Sequence, residues 1–412
     1  MSARKPLPRW ADVALLPVLN LTLAFFISGL VVLMVGENPI EAMSILVYGA
    51  FGYGEGLGYT LHFATNFVFA GLAFSIASHA GQFNIGAEGQ AYIAGLGAIF
   101  VGLALDGTHW LLVLPLAMLG AGAFGGLWGF IPGYLAAKRG SHVVITTIMF
   151  NFIAASLMVY LLNYVLKEPS NMAPESRSVV GAGKMPQLRE FWDFFGYSPV
   201  NVMLFVAIIA LFGMFFLFWR TELGYKIRTL GQNPKAAHYA GISNSKIIMI
   251  SMTLAGAMAG MIAINEVLGV QNRLVIDFVF GYGFVGIAVG LMGRNHPIGI
   301  ALAAILFGAL YQGGQELAFM MPAITREMII VIQALVILFT GAMEGLFRTP
   351  LEIFFTMIDV NKNGGGVPVS STGQALVGSE SDQRRQKKEN GGGVGVGSES
   401  DQRRQKKEKQ EG

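Results

Sequence analysis

Long apolar runs separated by short polar segments fill the first 350 residues of this chain. A bilayer crossing needs about 20 mainly apolar residues. Ten runs approach that length, and we predict membrane helices over residues 13–35, 60–78, 90–105, 111–136, 143–166, 199–219, 246–265, 281–293, 298–313 and 326–346. Segment 40–51 can form a further interfacial or re-entrant helix. The pattern predicts an all-α polytopic membrane protein of about ten transmembrane helices.

Composition supports this interpretation and removes several kinds of site. The chain has 412 residues, 53% of them hydrophobic and 13% charged, whereas a soluble domain carries about 25% charged residues. It has no cysteine, which excludes disulfides and thiolate metal ligands, and its six histidines show no metal-ligand spacing. We therefore expect neither a metal nor a cofactor.

The distribution of charge predicts the orientation. With the N-terminus in the cytoplasm, twelve Lys and Arg residues of the first 350 face inside and six face outside, as the positive-inside rule requires. Both termini are then cytoplasmic. Residues 1–360 balance 18 basic against 18 acidic side chains, so no nucleic-acid polymer is an expected partner. Segment 167–198 becomes the main external loop, either a solvated connector or a docking surface.

The C-terminal part of the chain differs in composition from the rest. The sequence VGSESDQRRQKKE occurs at 377–389 and again at 396–408. Such low-complexity, mixed-charge sequence is typical of disorder. We predict a transmembrane domain over 1–350 and a disordered cytoplasmic tail over 351–412 that contains the duplicated SESDQRRQKKE segment. The tail is either solvated without a dedicated role or in contact with anionic membrane lipids.

A polar, glycine-rich stretch joins the second and third predicted spans. It reads SHAGQFNIGAEGQ over residues 78–90. Its glycines permit a broken or re-entrant backbone, which is tolerated at membrane depth only when it is buried in protein or lines a cavity. A carboxylate there, Glu88, is a functional candidate, although such side chains also serve to cap broken helix ends.

A second polar segment, Arg220 to Lys246, lies between two spans and is rich in basic and amide side chains. Asn233 and Pro234 have the residue types of a helix N-cap and first position. They predict a short helix over about Pro234–Tyr239 that stops near Gly241. Such a helix can sit in a groove of a partner protein, and Ala237→Asp suggests itself as a test of that contact.

Two stretches carry a family resemblance. AGQFNIGAEGQ at 80–90 and LGYKIRTLGQNPKAAHYAGIS at 223–243 together resemble the membrane permeases of bacterial ATP-binding-cassette (ABC) importers. The resemblance covers roughly residues 1–350. It is closest to the permeases for nucleosides and simple sugars, which are related to those for ribose and branched-chain amino acids. The second stretch resembles the family's cytoplasmic coupling helix, and the matching residues are Gly231, Asn233, Pro234, Ala236, Ala237, Tyr239 and Gly241.

The resemblance implies the missing parts of a transport machine. The chain has no G-x-x-x-x-G-K-[ST] motif for ATP phosphates, so ATP hydrolysis is expected in separate ABC ATPase subunits and this chain is not an enzyme. A second permease, expected to be a paralogue that forms a heterodimer, and an external solute-binding lipoprotein complete the assembly. Its place is the bacterial cytoplasmic (inner) membrane.

Polar side chains within the spans are candidates for the solute pathway. Amides match the hydroxyls and ring nitrogens of a nucleoside or sugar, and we select Asn84, Glu88, Asn151 and Asn265. Hydrogen bonding between helices is the competing explanation for each of them. Aromatic residues that could stack on a base are Phe67, Phe83, Tyr92 and Phe150.

Two other classes of function stay open at this point. An ion-coupled secondary transporter of small polar solutes would need no ATPase, but such proteins often show internal repeats and carboxylates at the midplane. We find no convincing repeat in residues 1–350. A membrane-embedded enzyme is less favoured, because the sequence shows no nucleophile–base pairing and no metal cluster.

Overall fold

The computed structural model describes residues 8, 10–169, 171–181, 183–339 and 345–362. Within them the α-helices are α1 Leu16–Met34, α2 Pro39–Phe51, α3 Gly54–His79, α4 Ala87–Ala104, α5 Trp110–Arg139, α6 Val143–Tyr160, α7 Met203–Arg220, α8 Glu222–Gln232, α9 Pro234–Tyr239, α10 Asn244–Ala263, α11 Tyr282–Met292, α12 Pro297–Met320, α13 Arg326–Ile337 and α14 Gly345–Lys362. π-Helical turns precede α1 (Ala11–Leu15) and extend α6 (Leu161–Val165) and α10 (Ile264–Gln271). The described residues contain two isolated β-bridges and no strand. The all-helical prediction is confirmed.

Eight of the described helices are long and apolar enough to cross a membrane. They are α1, α3, α4, α5, α6 and α10 with their π-helical extensions, α7 and α12. The other two predicted spans, 281–293 and 326–346, correspond to the shorter helices α11 and α13, and residues 340–344 lie outside the described part. The 11 residues of α11 rise about 17 Å, well short of a ~30 Å hydrocarbon core. Hydropathy alone does not separate apolar helix from the apolar, non-helical backbone that precedes α11.

Helix α3 lies at the centre of the bundle. Almost all residues of its most apolar stretch are buried, and the helix packs against α10, α11 and α12. Several polar side chains, among them His62 and Asn66, are carried inward with it. Because these side chains are buried in the bundle, they need hydrogen-bond partners on neighbouring helices.

Helices α5 and α10 meet backbone to backbone at glycines. A Cβ on Gly256 would lie 2.2 Å from the carbonyl oxygen of Gly125, and one on Gly260 would lie 2.6 Å from that of Ala121. Gly213 on α7, in contrast, faces open space. The small residues spaced along these two spans therefore allow close helix packing within the chain.

The connection between α3 and α4 breaks the helical run inside the bundle. Gly81 has φ +73°, a conformation that favours glycine. Gln90, in the first turn of α4, lies beside Gly129 and Met252, which are interior positions of α5 and α10. The helical run is thus interrupted between His79 and Ala87, and the first turn of α4 already lies inside the bundle.

Helix α14 crosses the predicted domain boundary. Residues 9–347 belong to one compact unit, whereas residues 348–362 belong to another. In that second unit Arg348 pairs with Glu352 at 3.4 Å, one turn along α14. The boundary predicted at 350 thus falls inside a helix, and residues 351–362 are helical, because their apolar side chains recur at helical spacing. The duplicated segment lies outside the described residues.

Candidate functional site

The polar stretch before α4 is held together by its own side chains. Asn84 is fully buried, and its Oδ1 accepts a hydrogen bond from the backbone N–H of Gly86 at 2.9 Å. The Asn84 amide also exchanges hydrogen bonds with the amide of Gln90 at 3.1 and 3.3 Å. These bonds satisfy a turn that has no helical partners of its own.

Asn151 on α6 clamps the same turn from outside. Its Oδ1 accepts from the backbone N–H of Gly89 at 3.0 Å, and its Nδ2 donates to the backbone oxygen of Ile85 at 3.0 Å. Gly89 approaches so closely that an added Cβ would lie 2.7 Å from Asn151 Oδ1. Both polar ends of the Asn151 amide are thus used by backbone.

Glu88 caps the start of α11. Its Oε1 accepts from the backbone N–H of Gly281 at 2.9 Å, and its Oε2 accepts from that of Gly283 at 2.8 Å. The first N–H groups of a helix have no partner within the helix, and they attract negative charge. Glu88 therefore joins the beginning of α4 to the beginning of α11.

A cavity of about 640 Å³ lies between α3, the end of α10 and helices α11 to α13. Its size is that of a small-molecule site. Aromatic side chains form much of its wall: Tyr59, Phe63, Phe280, Tyr282 and Tyr311. Polar side chains also reach it, namely His62, Glu266, Gln271, Gln315 and Gln333.

Five buried polar side chains, which we call the cavity cluster, stand in and behind one wall of this cavity: His62, Asn66, Asn201, Asn265 and Glu266. Glu266 Oε1 lies 3.0 Å from His62 Nε2 and accepts from Asn66 Nδ2 at 2.6 Å. The residues come from α3, from the N-cap turn of α7 and from the π-helical extension of α10. π-Helical turns are common at functional sites.

Asn265 is the hub of this cluster. Its Nδ2 donates to Asn66 Oδ1 at 2.8 Å and lies 3.4 Å from His62 Nδ1. Its Oδ1 accepts from Asn201 Nδ2 at 2.9 Å. The side chain of Asn265 is thereby fully engaged with other members of the cluster.

Backbone strain accompanies the cavity wall at Phe280. This residue has φ +50°, a conformation that costs a bulky side chain of order 1–3 kcal/mol. Its side chain is 57% exposed although it lines the cavity. Strained residues with exposed rings are found at sites that bind ligands.

The short helix α9 has the bounds that the sequence predicts. Asn233 Oδ1 accepts from the backbone N–H groups of Lys235 and Ala236 at 3.0 and 3.1 Å, and Pro234 occupies the first turn. Gly241, with φ +76°, follows the helix end. In the preceding helix α8, the hydrogen bond from Lys226 lowers the pKa of the Glu222 carboxyl.

Two contacts define how α8 and α9 attach to the bundle. A Cβ on Gly231 would lie 2.2 Å from the carbonyl oxygen of His79 at the end of α3. Ala237 is fully buried, whereas Tyr239 is 90% exposed. Ala237→Asp is therefore a poor test of partner contact, because it would bury a charge within this chain.

Of the residues selected from sequence as a pathway, only Asn265 lies beside the cavity. Asn84 and Asn151 bond to backbone at the start of α4, and Glu88 bonds to backbone at the start of α11. The predicted aromatic residues also lie elsewhere: Phe67 is buried, Phe83 packs on Phe74, Tyr92 accepts from the backbone of Asp277, and Phe150 packs on Trp128.

Sequence reasoning did not select His62, Asn201 or Glu266 for the pathway. His62 and Asn66 are spaced i, i+4 on α3, which places them on one helix face. From sequence alone, that spacing was the signal that could have pointed to a polar face on this helix. Across the described residues, no group of three or more potential metal ligands lies together.

Comparison with known proteins identifies the family. A family profile described as branched-chain amino acid transport system / permease component matches residues 56–341. The guanosine ABC transporter permease protein NupP of Bacillus subtilis is 36% identical over 335 residues, 80% of this chain and 93% of that protein. The nucleoside ABC transporter permease protein NupB of Lactococcus lactis is 33% identical over 328 residues, 79% of this chain and 90% of that protein.

A more distant relative is the guanosine ABC transporter permease protein NupQ of B. subtilis, 26% identical over 258 residues, 60% of this chain and 78% of that protein. No solved structure matches the chain. The chain therefore belongs to the permease-component family of branched-chain amino acid transport systems, and it is a multi-pass membrane permease subunit of an ABC transporter rather than an enzyme.

Proposed function

We propose that this permease carries nucleosides, or related simple sugars, into the cell through the cavity beside Glu266. The observation that carries the proposal is that cavity, with its aromatic wall and buried carboxylate. A nucleoside combines a flat base with a polyhydroxylated sugar. Aromatic faces suit the base, while the amides of Gln271, Gln315 and Gln333 offer donors and acceptors for hydroxyls. The names of the relatives NupP and NupB agree with this solute class.

The four residues selected from sequence have indirect roles in this proposal. Asn265 holds the side chains of the cavity cluster in place through its hydrogen bonds. Asn84, Asn151 and Glu88 keep the start of α4 fixed to α6 and α11, and α11 begins next to the cavity residues Phe280 and Tyr282. They are positioning residues of the pathway, acting through the backbone that they bind.

Helices α8 and α9 form the proposed ATPase contact. Asn233 and Pro234 begin α9, Ala237 anchors it, and Ala236 and Tyr239 present its exposed surface. Gly231 and Gly241 allow the close approach to α3 and the turn after α9. Movement imposed on this element by ATP binding in a partner subunit would pass into α3 and α10.

The assembly follows from the same proposal. Both NupP and NupQ are named as guanosine permeases of one organism, so a second, paralogous permease is expected to form a heterodimer with this chain. ABC ATPase subunits bind at α9, and an external solute-binding lipoprotein docks on the loop 167–198. Membrane lipids cover the exposed apolar sides of α5, α6 and α7.

The topology is that of a bacterial cytoplasmic membrane protein with both termini inside. In this arrangement about ten segments enter the membrane, with α11 and α13 as the two shorter ones. The run of basic side chains in α8 and α9 then lies on the cytoplasmic side.

Reconstitution tests the proposal. The chain, purified with its partner subunits and placed in proteoliposomes with the binding protein outside, should take up radiolabelled guanosine only when ATP is supplied to the ATPase side. Collapse of that uptake by an ionophore at constant ATP would favour the ion-coupled transporter instead. Absence of ATP-driven uptake of every nucleoside and sugar offered would overturn the proposed function.

Two matched variants test the coupling element. Tyr239→Ala removes an aromatic ring exposed on α9, and Tyr164→Ala removes one that is 78% exposed at the end of the α6 extension, away from the proposed docking surfaces. Tyr239→Ala should reduce ATP-driven uptake about tenfold or more, as expected for an aromatic interface anchor, without loss of folded protein. Equal uptake by the two variants would remove α9 from the ATPase contact.

A further inference from the structure

The hydrogen bonds of the cavity cluster run in one direction. Asn201 donates to Asn265, Asn265 donates to Asn66, and Asn66 donates to Glu266. A second branch passes through His62. When Asn265 Nδ2 donates to His62 Nδ1, the proton of the imidazole lies on Nε2 and points at Glu266 Oε1.

Both of these branches end on Glu266 Oε1, while Asn201 Nδ2 also donates to the backbone oxygen of Pro199 at 3.3 Å. A carboxylate can accept at both of its oxygens, and Oε1 receives both branches. None of the described residues donates a hydrogen bond to Glu266 Oε2. This atom is also absent from the fully buried polar atoms that lack a partner, so part of its surface is accessible. Glu266 lines the cavity, so the unpartnered oxygen faces the space where the solute would be.

Aromatic rings line the same cavity as Glu266. His62 packs edge-on against Phe63 at 5.5 Å between ring centroids, and Phe63 contacts Tyr282 at 6.4 Å. Phe280 lines this cavity, is 57% exposed, and lies 6.1 Å from Tyr282 between ring centroids. A flat heterocycle matches such walls, whereas a sugar needs a polar partner for each hydroxyl.

We infer that Glu266 selects the base of the solute. Its Oε2 accepts a hydrogen bond from a ring N–H, while Phe280 stacks on the face of the base. The preferred class is a nucleoside with a ring N–H, such as guanosine, inosine or uridine, over one with a bare ring nitrogen, such as adenosine or cytidine. This inference rests on the proposed function, since it assigns a role within the same cavity.

The physical reason is a contrast between attraction and repulsion. An N–H placed at Oε2 makes a charge-assisted hydrogen bond. A bare ring nitrogen places a lone pair against the carboxylate and leaves both acceptors unsatisfied in a buried site. The same carboxylate disfavours nucleotides, because their phosphates carry like charge.

Glu266→Gln gives a sharp test. The amide Oε1 can still accept from Asn66 and His62, so the cluster is kept, but the group that faces the cavity changes from an acceptor to an N–H donor. The assay is ATP-driven uptake by the reconstituted complex of tritiated inosine, which has an N1–H, and of tritiated purine riboside, which has a bare N1. One binding protein serves every variant, so its own selectivity cancels when the ratios are compared.

The expected result is a fall of about ten- to a hundredfold in the inosine-to-purine-riboside uptake ratio, the usual span for losing a hydrogen bond to a charged group. Glu41→Gln, on the exposed part of α2, is the control and should keep the wild-type ratio. Phe280→Leu should lower uptake of both nucleosides and leave their ratio unchanged.

Several outcomes would overturn the inference while uptake itself supports the proposed function. A wild-type ratio in folded Glu266→Gln would do so. If that variant does not fold, the test is made on the wild-type complex instead. Equilibrium dialysis without the binding protein then measures how tightly the complex binds each nucleoside. There, 1-methylinosine should bind at least about tenfold more weakly than inosine, and equal binding contradicts base selection. A loss for 2′-deoxyinosine as large as that for 1-methylinosine would mean that Glu266 binds the ribose.

Discussion

Two polar clusters lie inside this apolar bundle, and they differ in how their hydrogen bonds end. In the turn before α4, Asn84, Glu88 and Asn151 bond to backbone groups of the chain itself, and Gln90 pairs with the Asn84 amide. In the cavity cluster, side-chain hydrogen bonds run from Asn201 through Asn265 and Asn66 to the single carboxylate of Glu266, and only Asn201 also bonds to backbone, at Pro199 and Met203.

The difference distinguishes side chains that stabilise the fold from side chains that are able to bind a solute. A polar group in a bundle must be satisfied, and a side chain that already bonds to backbone has fewer donors and acceptors left for a solute. A cluster with one surplus acceptor facing a cavity has the capacity to bind a solute. Counting the free donors and acceptors therefore tells more about function than counting the polar residues.

The largest expected effect is that of Asn151→Leu. This change leaves the buried Gly89 N–H and the Ile85 oxygen without their side-chain partner. At about 1–3 kcal/mol for each of the two unsatisfied groups, the loss should be about 2–6 kcal/mol, seen as a large drop in the melting temperature of the detergent-purified chain. Asn163→Leu is the control, since Asn163 donates only to the helical Val159 oxygen. Equal melting of the two variants would show that the turn does not depend on its clamp.

Glu88→Gln is expected to have the next largest effect. An amide can accept at one position only, so either Gly281 N–H or Gly283 N–H would face an NH₂ group. The free energy of unfolding should fall by about 1–3 kcal/mol, while the inosine-to-purine-riboside uptake ratio of the protein that folds should stay at the wild-type value. A changed ratio without loss of stability would move Glu88 from support to recognition.

Asn66→Leu should cost less, about 1 kcal/mol, within the range measured for hydrogen bonds between membrane helices. Each partner of Asn66 keeps another bond: Glu266 keeps His62, and Asn265 keeps His62 and Asn201. The melting temperature reports the stability. A loss as large as that of Asn151→Leu would contradict the difference between the two clusters.

Glu266→Gln should change stability least, by less than about 1 kcal/mol, because Oε1 keeps both donors and the buried charge is removed. Its effect is on solute choice. Comparing the melting temperatures of Glu266→Gln and Glu88→Gln shows how the same substitution affects stability in each of the two clusters. If Glu266→Gln proves the less stable of the two, the carboxylate of the cavity cluster is itself a structural group.

Local chemistry made some features predictable from sequence. The bounds of α9 follow from Asn233 and Pro234, since N-capping depends on residues that are neighbours in the chain. The break at Gly81 was readable for the same reason. The close contact of α5 with α10 at glycines, in contrast, depends on which helices meet in the folded bundle.

The cavity was not predictable in this way. His62 and Glu266 are about 200 residues apart in sequence, and no spacing rule joins two helices that meet only in the folded bundle. The polar stretch at 80–90 attracted attention because broken backbone needs many polar side chains nearby, and that need itself explains why those side chains are occupied.

The continuity of α10 with its π-helical extension has a mechanical consequence. The rod runs from Asn244, just after α9, to Gln271, about 42 Å at 1.5 Å per residue, and it carries Asn265 and Glu266 near its far end. A rod of that kind transmits displacement instead of absorbing it, so under the proposed function the occupancy of the nucleotide sites and the affinity for the solute would be linked quantities. Linkage is reciprocal: solute held at Glu266 should alter how tightly the distant ATPase holds its nucleotide.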